Sequence, residues 1–381
     1  MGEKIKVYLV AGEPSGDLLG SRLMRAFKRT YGPNVSFCGV GGETMQKEGL
    51  SSLFDIRDLA VMGLAEVVPS IPRILKRLKS VIKDIQDQKP DVIITIDSYS
   101  FSARVHAALK KIGYTTPHFH YVAPQVWAWK KKRARQVHKL FDHLFVLLPN
   151  EPAYFEPYGM ATTFVGHPVV ESLADKGNGI AFREKYQIPA QAFVMLMLPG
   201  SRKNEIRYLL SDFMKTAELM RQKHPDLFVV IPTVQTVAPV VCRELENWVV
   251  PHVVVSGEEE RYHAFAAADV ALAASGTVSL ELAMAGVKHI IAYRVSPLTA
   301  IIVKRLIQIR FVNLINILSD REVIPEMIQD KCTPDQLVAA LEKVFAESAQ
   351  NVMSALKKLG VGALMTPSDQ VVQKVRELIG K

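Results

Sequence analysis

Apolar residues along the chain fall into short unbroken runs, and the stretches between them carry apolar positions at helical spacing. The runs of the first half are Val7–Val10, Val35–Cys38, Val92–Ile96, His118–Val122, Leu144–Leu148 and Thr163–Val165. Those of the second half are Val194–Leu198, Phe228–Ile231, Val253–Val255, Val270–Ala273 and Ile290–Tyr293. Most are continuous rather than alternating, which is the pattern of strands covered on both faces of a parallel sheet. Strands alternating with helices give the βαβ rhythm of an α/β protein. The rhythm restarts midway. Glu171–Gly179 is polar, contains Gly and Asn, and reads as a linker. After it, Phe193–Leu198, the loop Pro199-Gly200-Ser201-Arg202 and a helix from Glu205 repeat the strand–glycine loop–helix plan of Val7–Phe27. The expected architecture is two doubly wound, Rossmann-like α/β domains facing each other across a cleft, spanning about 1–170 and 180–345. A last helix, about 366–381, carries Val371, Val375, Leu378 and Ile379 on one face, with Ser368 as its cap.

Length agrees with two domains, since 381 residues exceed one ordinary core. An apolar content of 49% with 22% charged residues describes a soluble globular chain. Cys38, Cys242 and Cys332 show neither pairing nor metal spacing, which suits a reducing cytosol. The N-terminus enters a strand with no signal-peptide design, and no apolar stretch reaches the roughly 18 residues of a spanning helix. The net charge of +9 changes the picture most. It attracts anionic partners: nucleic acid, acidic phospholipid or a phosphorylated substrate.

Five segments carry candidate chemistry. Ala11-Gly12-Glu13-Pro14-Ser15-Gly16-Asp17 joins a strand to a helix, the place where open α/β sheets bind ligands. Its two carboxylates repel a bare phosphate, so Glu13, Ser15 and Asp17 suit hydroxyl groups better. Asp97 ends the buried run Val92–Ile96 and can take a proton from an attacking hydroxyl; its alternative role is a helix N-cap. Ser201 and Arg202 in the second glycine loop offer the hydroxyl and positive charge a diphosphate needs, or a turn with a solvated arginine. Ser275, Gly276 and Thr277 open a further helix, and Glu281 one turn on can bind a ribose diol or complete a capping box. His118 and His120 lie on one face of a strand. They are strand-end polar residues or, less in keeping with their surroundings, a metal pair.

The charge is concentrated beside apolar surface. Ile71, Ile74, Leu75, Leu78 and Ile82 share one helical face, while Arg73, Lys76, Arg77 and Lys83 take the other. Val61, Met62, Leu64, Val67 and Val68 precede them. This is the pattern of an interfacial amphipathic helix, and equally of a helix covering a sheet. Ala300–Val312 is a second apolar stretch, carrying Lys304, Arg305 and Arg310. Tyr121–Trp129 followed by Lys130–Arg133 suits single-stranded nucleic acid, a membrane edge or a solvated helix start. Two apolar-basic stretches favour a membrane over nucleic acid, whose grooves need no exposed Ile and Leu.

The motifs AGEPSGD at Ala11–Asp17, Ile96-Asp97, YVAPQVWAW at Tyr121–Trp129 and Gly166-His167-Pro168 occur in order along the first half. Leu198–Arg202, SGTVSLELAMAG at Ser275–Gly286, and Asn316 with Asp320-Arg321-Glu322 follow. Together they resemble the lipid-A-disaccharide synthase family over nearly the whole chain. The resemblance implies a glycosyltransferase-B fold whose C-terminal helix packs back on the first domain. It implies transfer of diacylglucosamine from its UDP derivative to the 6-hydroxyl of diacylglucosamine 1-phosphate. Inversion would give a β-1,6 disaccharide phosphate and UDP, with no metal or other cofactor. Ser201, Arg202, Ser275, Gly276, Thr277, Glu281 and Asn316 would serve UDP. Asp97, Glu13 and Ser15 would serve the reaction, with Asp97 as base and Glu13 or Asp17 as the other choices. Asp17, Met62, Arg73, Leu75, Lys76 and Leu78 would meet acceptor or membrane. The implied setting is the cytoplasmic face of a Gram-negative inner membrane, with an anionic surface as partner and a homodimer formed by exchange of C-terminal parts. A UDP-sugar 2-epimerase, a transferase with a soluble acceptor, and a basic nucleotide- or RNA-binding module are the competing readings. Neither enzyme alternative needs the Val61–Lys83 stretch.

Overall fold

The computed structural model describes residues 4–59, 64–127, 133–274, 276–296, 310–347 and 349–381, with 64–70 described by backbone alone. Met62, Ser275 and most of the Ala300–Val312 stretch therefore lie outside the described residues. The chain divides into two compact units: Met1–Val170 with Leu359–Lys381, and Glu171–Lys358.

The first unit is built on a parallel six-stranded sheet of β1 Ile5–Ala11, β2 Val35–Val40, β3 Val92–Ile96, β4 His118–Tyr121, β5 His143–Val146 and β6 Thr162–Phe164. Their order is β2-β1-β3-β4-β5-β6. Each face of β1 feeds a separate core. Ile5, Val7, Leu9 and Ala11 meet Leu19, Leu23 and Phe27 of the helix Pro14–Tyr31, while Tyr8 and Val10 meet Val81, Ile85 and Phe101. Burial on both faces explains why these strands read as continuous apolar runs. The helix Pro367–Ile379 adds Val371, Val372 and Val375 to the first of those cores. Arg29 pairs with Asp369 at 2.5 Å and Lys381 with Asp91 at 2.7 Å, fastening its two ends. Its cap is Thr366, which accepts from the Asp369 N–H; Ser368 is buried instead.

The second unit repeats the plan with β7 Val194–Leu198, β8 Phe228–Thr233, β9 His252–Ser256, β10 Val270–Ala274, β11 His289–Tyr293 and β12 Glu326–Ile328. Their parallel order is β12-β11-β10-β7-β8-β9. The short β12 was not among the expected strands. It has only three residues, and its first, Glu326, is a buried carboxylate rather than an apolar residue. The segment expected to be a linker is packed structure. Asn178 caps the helix Gly179–Lys185 through Ala181 N–H and donates its own N–H to His263 Nδ1.

Strand order locates the binding edge of each unit. From β1 the chain moves outward to β2, then returns to place β3 on the other side. From β7 it runs out to β8 and β9, then returns to place β10 on the other side. At such reversals the loops leave in opposite directions and open a crevice at the carboxyl ends of the strands. The predicted loops follow these strands: Gly12–Asp17 after β1, Asp97 after β3, Gly200–Arg202 after β7, and Gly276–Thr277 after β10.

Candidate active site

In the first unit the crevice brings Ser15 and Asp97 together. Ser15 Oγ donates to Asp97 Oδ2 at 3.0 Å. Asp97 leaves β3 with φ +53 and Ser98 follows with φ +42, an uncommon pair of left-handed residues outside glycine. The turn is held from three sides. Asp97 N–H donates to the Tyr121 carbonyl at 2.9 Å, Ser98 N–H to Asp97 Oδ1 at 2.8 Å, and Ser102 Oγ to the Asp97 carbonyl at 3.1 Å. Gly12 makes the approach possible, because a Cβ there would lie 2.7 Å from Ser98 Oγ. Beside it Val122, a β-branched residue, holds φ +79 at the end of β4. Such conformations persist only where the surroundings impose them. Glu13 stands in extended conformation just before the Pro14 helix, partly exposed, with no capping bond from its side chain.

Asp17, expected at the acceptor side, is built into the scaffold. Its carboxylate is 5% exposed and accepts from the N–H groups of Gly42, Thr44 and Met45 at 2.8–3.0 Å. It thereby caps the helix Glu43–Lys47. Its acceptor capacity is directed at backbone rather than at the crevice.

Under the Asp97 turn lies a buried histidine cluster. Thr95 Oγ1 is 3.0 Å from His106 Nε2 and 2.7 Å from His120 Nδ1, and the rings of His106 and His118 stand 4.8 Å apart. Burial holds all three neutral, pushing His118 down to about 4 and His120 to about 3. His118 and His120 are both buried, and the His120 ring stacks on Phe141. Among the described residues no group of three or more His, Cys, Asp or Glu side chains could hold a metal. Glu151 is a further buried acid in this unit. It accepts from Leu147 and Leu148 N–H and from the Trp127 indole, while burial raises its pKa.

In the second unit the β7 loop turns through Gly200 at φ +116, where any side chain would collide with Glu205. Glu205 Oε2 accepts from Ser201 and Arg202 N–H at 2.8 and 3.1 Å. Two N–H groups at the start of the helix Lys203–Lys223 are thus satisfied internally. What the loop presents is Arg202, whose side chain is 61% exposed and pairs with Glu205 at 3.1 Å. Ser201 is also exposed. At the β10 loop, a Cβ on Gly276 would meet nothing within 4 Å, so the turn is open at that point. Thr277 begins the helix Val278–Met284, which carries Glu281. Glu281 Oε1 accepts from Arg261 Nη2 at 3.0 Å and from the Tyr262 hydroxyl at 3.3 Å.

Asn316 lies in the helix Leu314–Ser319, whose cap Asn313 donates through Nδ2 to Ser279 Oγ in the helix that follows β10. Asn316 is fully buried; its Nδ2 donates to the Ile324 carbonyl and to Glu326 Oε1, and its Oδ1 accepts from Val323 and Ile324 N–H. Both ends of the amide are engaged by protein. Its partner Glu326, which no motif marked, also accepts from Val312 and Asn313 N–H.

The surface helix Leu64–Gln88 splits its expected apolar face. Ile74, Leu78 and Ile82 pack on the core beside fully buried Val81 and Ile85. Ile71 and Leu75 remain 45% and 48% exposed, with Arg73 and Lys76 exposed next to them. Among the described residues no helix is long and apolar enough to cross a membrane.

Two parallel six-stranded units with binding loops at their strand-order reversals define the glycosyltransferase-B fold. Solved structures agree on the fold. The chain superimposes on the S. aureus MnaA–UDP co-structure with TM-score 0.64 at 13% identity, covering 99% of this chain and 97% of that one. It does so on Acinetobacter baumannii MurG with TM-score 0.57 at 14% identity, covering 99% of each. The family model for lipid-A-disaccharide synthetase matches residues 7–375. The lipid-A-disaccharide synthase of Paramagnetospirillum magneticum is 50% identical over 364 residues, 93% of each chain. The chain belongs to the lipid-A-disaccharide synthase family, which makes it a glycosyltransferase of lipid A disaccharide synthesis.

Proposed function

We propose that the protein transfers 2,3-diacylglucosamine from its UDP derivative to the 6-hydroxyl of 2,3-diacylglucosamine 1-phosphate, with inversion. The observation that carries the reading is the Ser15–Asp97 pair at the β1/β3 reversal. Asp97 is the general base. It takes the proton of the 6-hydroxyl as that oxygen attacks the anomeric carbon, and the bond to UDP breaks on the opposite face. One in-line displacement of this kind inverts the centre. Ser15 orients the carboxylate, and Glu13 lies alongside to hold substrate hydroxyls. In the second unit the exposed Arg202 guanidinium takes up charge on the departing diphosphate, Ser201 and the Gly276–Thr277 turn border it, and Glu281 takes the ribose diol.

The acylated substrates reside in a membrane, and the exposed Ile71 and Leu75 beside Arg73 and Lys76 suit an anionic lipid surface. On this reading the enzyme works as a peripheral protein on the cytoplasmic face of the inner membrane. The test is product analysis with both acylated sugars. UDP release together with a β-linked disaccharide phosphate, read by mass spectrometry and anomeric NMR coupling, is the expected result. UDP release without disaccharide, or an α-linked product, would refute the assignment.

A further inference from the structure

Glu281 stands in a hydrogen-bonded cluster that the sequence motifs do not explain. The helix Glu258–Ala266 opens at the carboxyl end of β9, after Gly257, and its first two turns supply Glu258, Arg261 and Tyr262. Arg261 Nη2 donates to Glu281 Oε1 at 3.0 Å. The Tyr262 hydroxyl lies 2.7 Å from Glu258 Oε1 and 3.3 Å from Glu281 Oε1. Tyr262 is 4% exposed, and the Arg261 side chain is 26% exposed. The Arg261 guanidinium also lies over the Tyr262 ring, 5.2 Å from its centre. A half-buried arginine paired with the Glu281 carboxylate, with Glu258 nearby, restrains the position of both partners. The helix is itself fastened from behind, where His263 Nδ1 accepts from Asn178 N–H.

We propose that Arg261 and Tyr262 are positioning residues that hold the Glu281 carboxylate for the ribose diol of the nucleotide. They would thereby set the preference for a ribonucleoside diphosphate over its 2′-deoxy counterpart. The inference rests on the assignment of Glu281 to the ribose and adds the two residues that make that contact selective. Hydrogen bonds between a diol and a charged group strengthen with correct geometry. A carboxylate released from Arg261 and Tyr262 loses that geometry and rotates among solvated conformers. The 2′-hydroxyl then contributes little, whereas contacts to the diphosphate are untouched.

The test is calorimetric titration of UDP and 2′-deoxy-UDP into the full-length protein, its Arg261→Met variant and its Tyr262→Phe variant. The native protein is expected to prefer UDP by about tenfold or more. Arg261→Met should bring that ratio to about twofold by weakening UDP while leaving 2′-deoxy-UDP binding unchanged. Tyr262→Phe, which keeps the packing and removes only the hydroxyl, should give an intermediate ratio and covers the case in which Arg261→Met fails to fold. A folded variant set that keeps the native ratio, or weakens both ligands equally, overturns the positioning role while leaving Glu281 at the ribose. A native protein that binds both nucleotides equally removes Glu281 from the ribose, and the proposal falls with it.

Discussion

Ser15 Oγ donates a 3.0 Å hydrogen bond to Asp97 Oδ2 across 82 positions of sequence, linking the loop after β1 to the turn after β3. The bond fixes one carboxylate oxygen while Ser98 N–H fixes the other at 2.8 Å. A base held at both oxygens meets its substrate with little reorganisation. Removing the serine hydroxyl should therefore slow the reaction without unfolding the protein, because Ser15 is exposed. Ser15→Ala is expected to lower kcat about tenfold, the worth of one charge-assisted hydrogen bond. Its melting temperature should stay within about a degree of native. Steady-state UDP release and a thermal scan on the same preparation check both halves.

Asn316 separates a structural role from a nucleotide role. Its amide makes four hydrogen bonds to protein in a fully buried site, so Asn316→Ala leaves buried donors and acceptors unpaired, at about 1–3 kcal/mol each. The variant should melt well below native. UDP titration of the fraction that remains folded should give native affinity. A variant with native stability and lost UDP binding would return Asn316 to the nucleotide site.

Leu75 and Leu78 lie one helical turn apart and should behave differently. Leu75 is 48% exposed, whereas Leu78 packs on the core. Leu75→Ser should reduce pelleting with vesicles rich in phosphatidylglycerol and leave the melting temperature near native. Leu78→Ser should cost about 1–3 kcal/mol of stability. Equal loss of stability in both would make this face core throughout.

Acid should destabilise the first unit. His118, His120, His143 and His167 are held neutral by burial, pushed from the ordinary 6.5 to about 4, 3, 4 and 4. The unfolded chain binds these protons near pH 6.5 and the folded chain resists until about 4 or below. Stability from the neutral rings is therefore full above 6.5 and is lost as pH falls from 6.5 toward 4, each ring removing about 1.4 kcal/mol per pH unit. Melting temperatures at pH 8, 6.5 and 5 should show a small change in the first interval and a steep fall in the second. A flat profile down to pH 5 would show that these rings titrate normally.

Eleven of the twelve described strands were legible; the central ones, such as β1, β3, β7 and β10, are buried on both faces and write an unbroken apolar run into the sequence. The twelfth, β12, was not, since its three residues begin with a carboxylate that serves Asn313 and Asn316. Asp97 was legible as a carboxylate ending such a run. Asp17 looked similar from its motif, but its partners Gly42, Thr44 and Met45 stand 25, 27 and 28 residues away, beyond the reach of any local pattern. The same distance hid Arg261, which meets Glu281 across 20 residues, and the split of the Ile71–Ile82 face. Helical spacing tells which residues share a side. It does not tell how much of that side a neighbouring sheet covers.

Asp97 is the residue on which the chemistry turns. Asp97→Asn preserves shape and removes the charge and the capacity to accept a proton, with the Ser15 hydroxyl able to accept from the new amide NH2 while Ser98 N–H keeps its acceptor oxygen. A single-turnover measurement of disaccharide formation separates that loss from binding and product release. The expected rate is lower by about two to four orders of magnitude, with native UDP affinity and native melting temperature. A folded Asp97→Asn protein that forms disaccharide at a near-native rate would contradict the assignment of Asp97 as the base.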